Sequence, residues 1–246
     1  MQLAEPPLAL INEASLFLDF DGTLVELASR PDGVEVGSEL LDLLLALQTR
    51  LDGRVALLSG RPVDDVGGLL DPLQIPIGGS HGLERSLPGR EHIPPPRPIG
   101  LDQLVSALRA LEVEYPGVQI EEKPAGVAVH YRLAPGAATA CQKAAERAAM
   151  AIGMALQHGK MVVELLPVGA DKGAALRCFM SEQPFAGTYP IFIGDDLTDE
   201  HGFVAAREFG GAGILVGSER PTAACYRLES VEAVRAWLGA ACEEMP

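Results

Sequence analysis

Leu16-Phe17-Leu18-Asp19-Phe20-Asp21-Gly22-Thr23-Leu24 passes from an apolar run straight into two carboxylates and a turn residue. A second stretch repeats the pattern: Tyr189 to Ile193 leads at once into Gly194-Asp195-Asp196-Leu197-Thr198-Asp199-Glu200. Each places carboxylates where an apolar strand would end. In an open α/β sheet that edge is where ligands bind, and clustered oxygen donors suit a hard cation such as Mg²⁺. Asp and Gly also mark ordinary turns after strands, but one turn explains neither the spacing nor two dense acidic clusters.

Outward from the first motif, strand-like and helix-like segments alternate. Leu16 to Phe20 is followed by a helical pattern from Ser38 to Leu51, a strand from Arg54 to Leu58 and a second helix near Val63 to Leu70. A matching series runs from a helix over Lys172 to Met180 through Pro190 to Ile193, a helix over Asp199 to Phe209 and a strand over Ala212 to Val216. Such βαβα order predicts an α/β fold, a parallel sheet flanked by helices. Ser230 to Ala241 reads as a covering helix with Trp237 as a core anchor.

Between these halves the rhythm changes. Pro94 to Pro98 contains four prolines and reads as a stiff linker. Ile99 to Glu114 is helical in pattern, Val118 to Lys123 and Gly126 to Leu133 alternate, and Pro135 to Ile152 is an Ala-rich helix. Met154 to Gln157 then reads as a hairpin with Lys160 to Leu165, turning at His158-Gly159. The expected organisation is a core from residues 1–97 and 167–246 with a small α+β cap, residues 98–166, inserted between.

The formal charge of −15 argues against binding nucleic acid, whose backbone requires clustered Lys and Arg. Met1 to Pro7 lacks a basic segment followed by a secretory apolar core, and Leu40 to Leu47 is too short to span a bilayer and contains Asp42. A cytoplasmic protein without membrane partners is expected. Cys141, Cys178, Cys225 and Cys242 form no C-x-x-C pair, so reduced structural thiols are expected.

Ser59-Gly60-Arg61 follows the strand Val55 to Leu58, and Asp171-Lys172-Gly173 opens a helix that Asp171 is expected to cap. In order, Asp19/Asp21, Ser59, Lys172 and Asp195/Asp199 resemble the four signatures of the haloacid dehalogenase superfamily, whose phosphatases form an aspartyl-phosphate. That resemblance implies a Rossmann-like core and a role for each residue. Asp19 is the nucleophile and Asp21 the proton donor and later base. Thr23, Ser59, Gly60 and Lys172 bind phosphate. Asp19, Asp195 and the backbone carbonyl of Asp21 hold Mg²⁺, with Asp196 and Asp199 supporting through water.

Period-two geometry puts Glu121, Lys123, Arg132 and Glu164 on one face of the cap sheet, where polar groups suit sugar hydroxyls. Glu121-Glu122-Lys123, His130-Tyr131-Arg132, Gly159 to Pro167 and Gly79-Ser80-His81-Gly82-Leu83-Glu84 are similar to segments of the trehalose-phosphate phosphatase family. By that resemblance Glu121, Lys123, Arg132 and Glu164 contact sugar, and His81 orients the phosphate-side loop. The reaction implied is Mg²⁺-dependent hydrolysis of trehalose 6-phosphate, linked through its pathway to trehalose-phosphate synthase. A capped phosphatase for sucrose phosphate or a mannosyl phosphate, a phosphomutase and a noncatalytic carbohydrate-binding protein stand as alternatives.

Overall fold

The computed structural model describes residues 3–27, 33–90, 92, 95 and 97–244. The first part of the chain forms β1 (Ser15–Leu18), α1 (Ser38–Arg50), β2 (Val55–Leu58), α2 (Val63–Leu70), β3 (Ile77–Gly79) and β4 (Glu84–Ser86). Next come α3 (Leu101–Leu108), α4 (Ala110–Glu114), β5 (Gln119–Glu122), β6 (Val127–His130), α5 (Ala138–Ile152), β7 (Ala155–Gly159) and β8 (Val162–Leu166). The last part forms α6 (Lys172–Met180), β9 (Pro190–Gly194), α7 (Glu200–Glu208), β10 (Ala212–Val216), β11 (Tyr226–Leu228) and α8 (Val231–Glu244).

These elements divide into two compact units, Met1–Ile93 with Asp171–Pro246, and Pro94–Ala170. The inserted unit is longer at each end than residues 98–166. Arg97 explains one boundary: its guanidinium donates to Asp102 Oδ1 at 2.6 and 2.9 Å and to the carbonyls of Lys123 and Pro124 at 3.3 Å. Of the expected Pro94 to Pro98 linker, residues 94 and 96 lie outside the described residues.

The first unit carries a seven-stranded sheet in the order β11-β10-β9-β1-β2-β3-β4, parallel except for the β3–β4 pair. Every residue of β1, β2, β9 and β10 is buried, as expected for parallel strands covered on both faces. Alternate side chains separate accordingly. Leu16, Leu18, Val55, Leu57, Ile191, Ile193 and Ile214 join residues of α1, α2 and α8, whereas Phe17, Ala56, Leu58, Phe192 and Leu215 join those of α6 and α7. Trp237 is 7% exposed and donates from Nε1 to the Pro6 carbonyl at 2.9 Å.

The second unit is a four-stranded antiparallel sheet, β5-β6-β8-β7. Its apolar side packs Ile120, Val127, Val129, Val163 and Leu165 with residues of α3 and α5. The β7–β8 turn is Lys160-Met161, not His158-Gly159, with Met161 at φ 66°. The later turn lets five residues pair on each side, Leu156 opposite Leu165 and Gln157 opposite Glu164. All four cysteines are free thiols. Among the described residues no helix is long and apolar enough to cross a membrane.

Phe17 is fully buried between Phe179 and Phe185, with ring centroids 6.1 and 5.3 Å away. Phe17→Ala should therefore cost about 3–5 kcal/mol by removing transfer energy and leaving a cavity. Urea unfolding followed by Trp237 fluorescence reads this unit directly; a loss below about 1 kcal/mol would contradict the packing described.

Candidate active site

β1 lies between β9 and β2, and the chain continues outward in opposite directions along the sheet from β2 and from β9. The carboxyl ends of β1 and β9 thus form the crevice where an open α/β sheet takes its ligand. Leu18 pairs with Ile193, so Asp19 and Gly194-Asp195 leave the sheet side by side. The Asp19 N–H continues the ladder to the Ile193 carbonyl at 2.9 Å.

A buried ionic cluster closes this end. Lys172, the first residue of α6, donates from Nζ to Asp19 Oδ1 at 2.6 Å and to Asp199 Oδ1 at 2.5 Å. All three residues are at most 4% exposed. Thr23 Oγ1 donates to the other Asp19 oxygen at 3.1 Å. Asp195 completes the group: one carboxylate oxygen from each of Asp19, Asp195 and Asp199 lies within 4.8 Å of the others. Three carboxylates gather at one point, so the set is hard and oxygen-rich. It fits a divalent cation.

Burial pushes the Asp19 carboxyl well above its usual range; Lys172 opposes this, while Asp199 and Asp195 reinforce it. Burial alone would lower Lys172, yet Asp19 and Asp199 together hold its ammonium above its ordinary value. The lysine is thus a fixed positive charge, and further cationic charge near Asp195 would keep Asp19 ionised.

Local sequence explains the loop shapes. Gly22 has φ 85°, and a side chain there would collide with the Asp195 carboxylate. The turn brings Val25 N–H to the Phe20 carbonyl at 3.1 Å, and Arg235 on α8 donates to the Leu24 carbonyl at 2.6 and 2.8 Å. Asp199 also accepts the Asp196 N–H at 2.9 Å, while the Asp196 side chain accepts Leu197 N–H at 2.6 Å. This reciprocal capping box shapes the turn entering α7.

After β2, the Ser59 hydroxyl oxygen accepts the Arg61 N–H at 3.1 Å, leaving its proton available to donate. Arg61 reaches back to Asp21, Nε to Oδ2 at 2.6 Å and Nη2 to Oδ1 at 2.8 Å. Ser80 and His81 are consecutive residues in left-handed conformation, φ 47° and 54°, each costing on the order of 1 kcal/mol or more. Three contacts hold them. Ser80 N–H donates to Arg61 O at 2.8 Å, His81 N–H to Ser59 O at 3.0 Å, and the Ser80 hydroxyl to buried Glu84. The His81 ring fills the space a side chain on Gly60 would need, 2.6 Å from that position.

The second unit carries its own polar cluster. Lys123 Nζ donates to Glu164 Oε2 at 2.7 Å with both residues at most 9% exposed, and His130 Nε2 lies 2.6 Å from Glu121 Oε2. Burial tends to raise Glu121, but His130 and Lys123 hold it below the usual range. Arg132 donates to the Lys160 carbonyl at 3.3 Å.

Asp19, Thr23, Lys172 and Asp195 thus converge at one sheet edge, with Asp21, Ser59 and His81 on adjoining loops of the same unit. Asp199, expected to act through water, has its carboxylate in the cluster and on Lys172. Asp196 serves as a helix cap, as does Asp171, whose Oδ1 accepts Ala174 N–H at 2.7 Å. The contacts of Arg61, Glu84 and His130 do not follow from sequence spacing. Arg61 lies inside the Ser59-Gly60-Arg61 motif, and His130 shares the polar period of β6.

A family model described as Trehalose-phosphatase matches residues 17–232. The trehalose-6-phosphate phosphatase of Escherichia coli strain K12 is 42% identical over 225 residues, 90% of this chain and 84% of that protein. A solved structure of a trehalose-6-phosphate phosphatase related protein is 28% identical with a TM-score of 0.74, covering 93% of this chain and 96% of that one. A haloacid dehalogenase-like hydrolase from Bacteroides thetaiotaomicron, 17% identical, shares the fold at a TM-score of 0.65 over 92% of this chain and 98% of its own.

Lys172→Met keeps length but strips the ammonium from two buried carboxylates. Without added metal it should lower unfolding free energy by about 3–5 kcal/mol, measured by urea titration beside wild type. Wild-type stability would show that the cluster does not depend on this charge.

Proposed function

Because the chain belongs to the trehalose-phosphatase family, we propose that it hydrolyses trehalose 6-phosphate to trehalose and phosphate through a phosphoryl group carried on Asp19. The observation that carries this reading is the buried Asp19 carboxylate beside Lys172, at the sheet edge shared with Asp195 and Asp199. An in-line carboxylate is a competent nucleophile toward phosphorus. As its oxygen bonds to phosphorus, the bond to the sugar oxygen breaks and Asp21 delivers a proton to that oxygen. Asp21 then takes a proton from water, which attacks the phosphorus, frees Asp19 and releases phosphate.

The remaining groups offset charge. Lys172 stabilises negative charge shared between nucleophile and phosphoryl oxygens, and Thr23, Ser59 and backbone N–H groups near Gly60 donate to those oxygens. Asp19, Asp195 and the Asp21 backbone carbonyl would hold Mg²⁺, with Asp199 and, less directly, Asp196 supporting it through water. The metal would supply electrostatic compensation for the phosphate dianion. His81 orients the phosphate-side loop through its packing on Gly60.

Selection of the sugar falls to the second unit. Glu121, Lys123, Arg132 and Glu164 offer donors and acceptors of both charges, suited to the hydroxyls of a disaccharide. The Lys123–Glu164 pair is already formed at 2.7 Å, so one side of the recognition surface is preorganised. The substrate would come from trehalose-phosphate synthase, and a cytoplasmic setting fits that supply.

Glu164→Ala tests substrate selection. It should lower kcat/KM for trehalose 6-phosphate by about 10- to 100-fold, the loss of one charge-assisted hydrogen bond, and leave a small aryl phosphate nearly unchanged. A panel with sucrose 6-phosphate and glucose 6-phosphate completes the assay; wild-type preference for either would reject trehalose 6-phosphate as the substrate.

Removing divalent ions should abolish turnover, Mg²⁺ should restore it, and Asp195→Asn should weaken that rescue. Full activity in a metal-free assay would contradict the assigned use of the cluster.

A further inference from the structure

We propose that Arg61 is the positioning residue for Asp21, the fork that sets the acid/base carboxylate in its working orientation. The proposal rests on the reading of Asp21 as the acid and base of the reaction. Two parallel bonds, Arg61 Nε to Oδ2 at 2.6 Å and Nη2 to Oδ1 at 2.8 Å, engage both carboxylate oxygens. A single donor fixes one atom. A planar fork fixes the plane of the carboxylate as well, which a lysine cannot do.

Asp21 needs such a device more than Asp19 does. It stands beyond the end of β1, with its side chain 27% exposed against 5% for Asp19. The nucleophile is clamped within the buried cluster, whereas the acid/base residue sits on the turn that Gly22 permits. A misplacement of about 1 Å at a reacting group can cost on the order of 100-fold in rate, so an unrestrained carboxylate here would be a poor proton carrier. The second lone pair of each oxygen remains available for a proton.

Arg61 is itself held firmly enough to act as a template. Its N–H donates to Ser59 Oγ at 3.1 Å, its carbonyl accepts the Ser80 N–H at 2.8 Å, and its guanidinium lies 6.0 Å from the centroid of the buried Phe20 ring. Its side chain is only 14% exposed. The Ser59-Gly60-Arg61 segment therefore offers a phosphate-side hydroxyl at one end and orients the proton carrier from the other. Through Ser80, the strained turn braced by Glu84 also bears on Asp21.

The test measures steady-state kinetics on trehalose 6-phosphate and the initial burst of nitrophenolate from 4-nitrophenyl phosphate. Wild type, Arg61→Gln, Arg61→Lys, Asp21→Asn and the Arg61→Gln/Asp21→Asn double variant are compared, each checked by thermal melting. Nitrophenolate departs without needing a proton, so its burst reports attack by Asp19 alone.

Arg61→Gln should lower kcat for the sugar ester by about 10- to 100-fold with KM changed less than about threefold, because a transition-state group is misplaced while the groups that bind substrate stay as they were. The nitrophenolate burst should stay within about twofold, and adding Arg61→Gln to Asp21→Asn should change that burst no further. Arg61→Lys should recover part of kcat.

A raised KM at constant kcat would overturn the proposal in favour of direct phosphate binding. So would equal losses on both esters and in both backgrounds, which would mark a general structural role. An impaired Asp21→Asn beside a wild-type-like Arg61→Gln removes the role of Arg61 alone. Wild-type turnover by Asp21→Asn would remove the acid/base reading and the proposal together.

Discussion

One buried ammonium between two carboxylates sets the terms for the rest of the first unit. Lys172 meets Asp19 across 153 residues of sequence and Asp199 across 27. Burying charge without a partner is costly enough to unfold or neutralise a site, so the three segments must arrive together. The central position of β1 brings Asp19 beside the end of β9, the reciprocal cap on the turn before α7 swings Asp199 inward, and Asp171 starts α6 so that Lys172 is its first residue. The same convergence leaves Asp195 beside them, and the three carboxylates together suit a divalent cation.

In the proposed mechanism the two units divide the work by chemistry. The first has groups for any phosphomonoester: a nucleophile, a cationic partner, hydroxyls and a carboxylate held by a guanidinium. The second has a sheet with an apolar side packed on helices and polar side chains of both signs on the other strand faces. Specificity for a disaccharide needs directional hydrogen bonds from groups that are already fixed, and the pairs Lys123–Glu164 and Glu121–His130 fix each other.

Much of this was legible in the sequence because the signals were local. Apolar runs ending in Asp19 and Asp195 marked the two strand ends, and period-two alternation placed Glu121, Lys123 and Glu164. The strands β3, β4 and β11 were missed: each is three residues long, too short for a period, and Gly78 and Gly79 carry no side-chain pattern. The β7–β8 turn was misplaced because Gly159 signals a turn by composition, whereas the length of cross-strand pairing moved it to Lys160-Met161. Arg61 and Asp199 illustrate a different limit. Their residue types were visible, but whether a guanidinium meets Asp21 or a carboxylate meets Lys172 depends on loops folding against one another, which no local pattern reports.

In the proposed mechanism Asp19 becomes covalently phosphorylated. Mixing the protein with trehalose 6-phosphate and Mg²⁺, quenching in acid on the turnover timescale and mapping peptides by mass spectrometry tests it most directly. One phosphoryl group is expected on the peptide carrying Asp19, its site reducible by borohydride at that residue. Turnover with no phosphoryl group on the protein, or with the group on another residue, would contradict it.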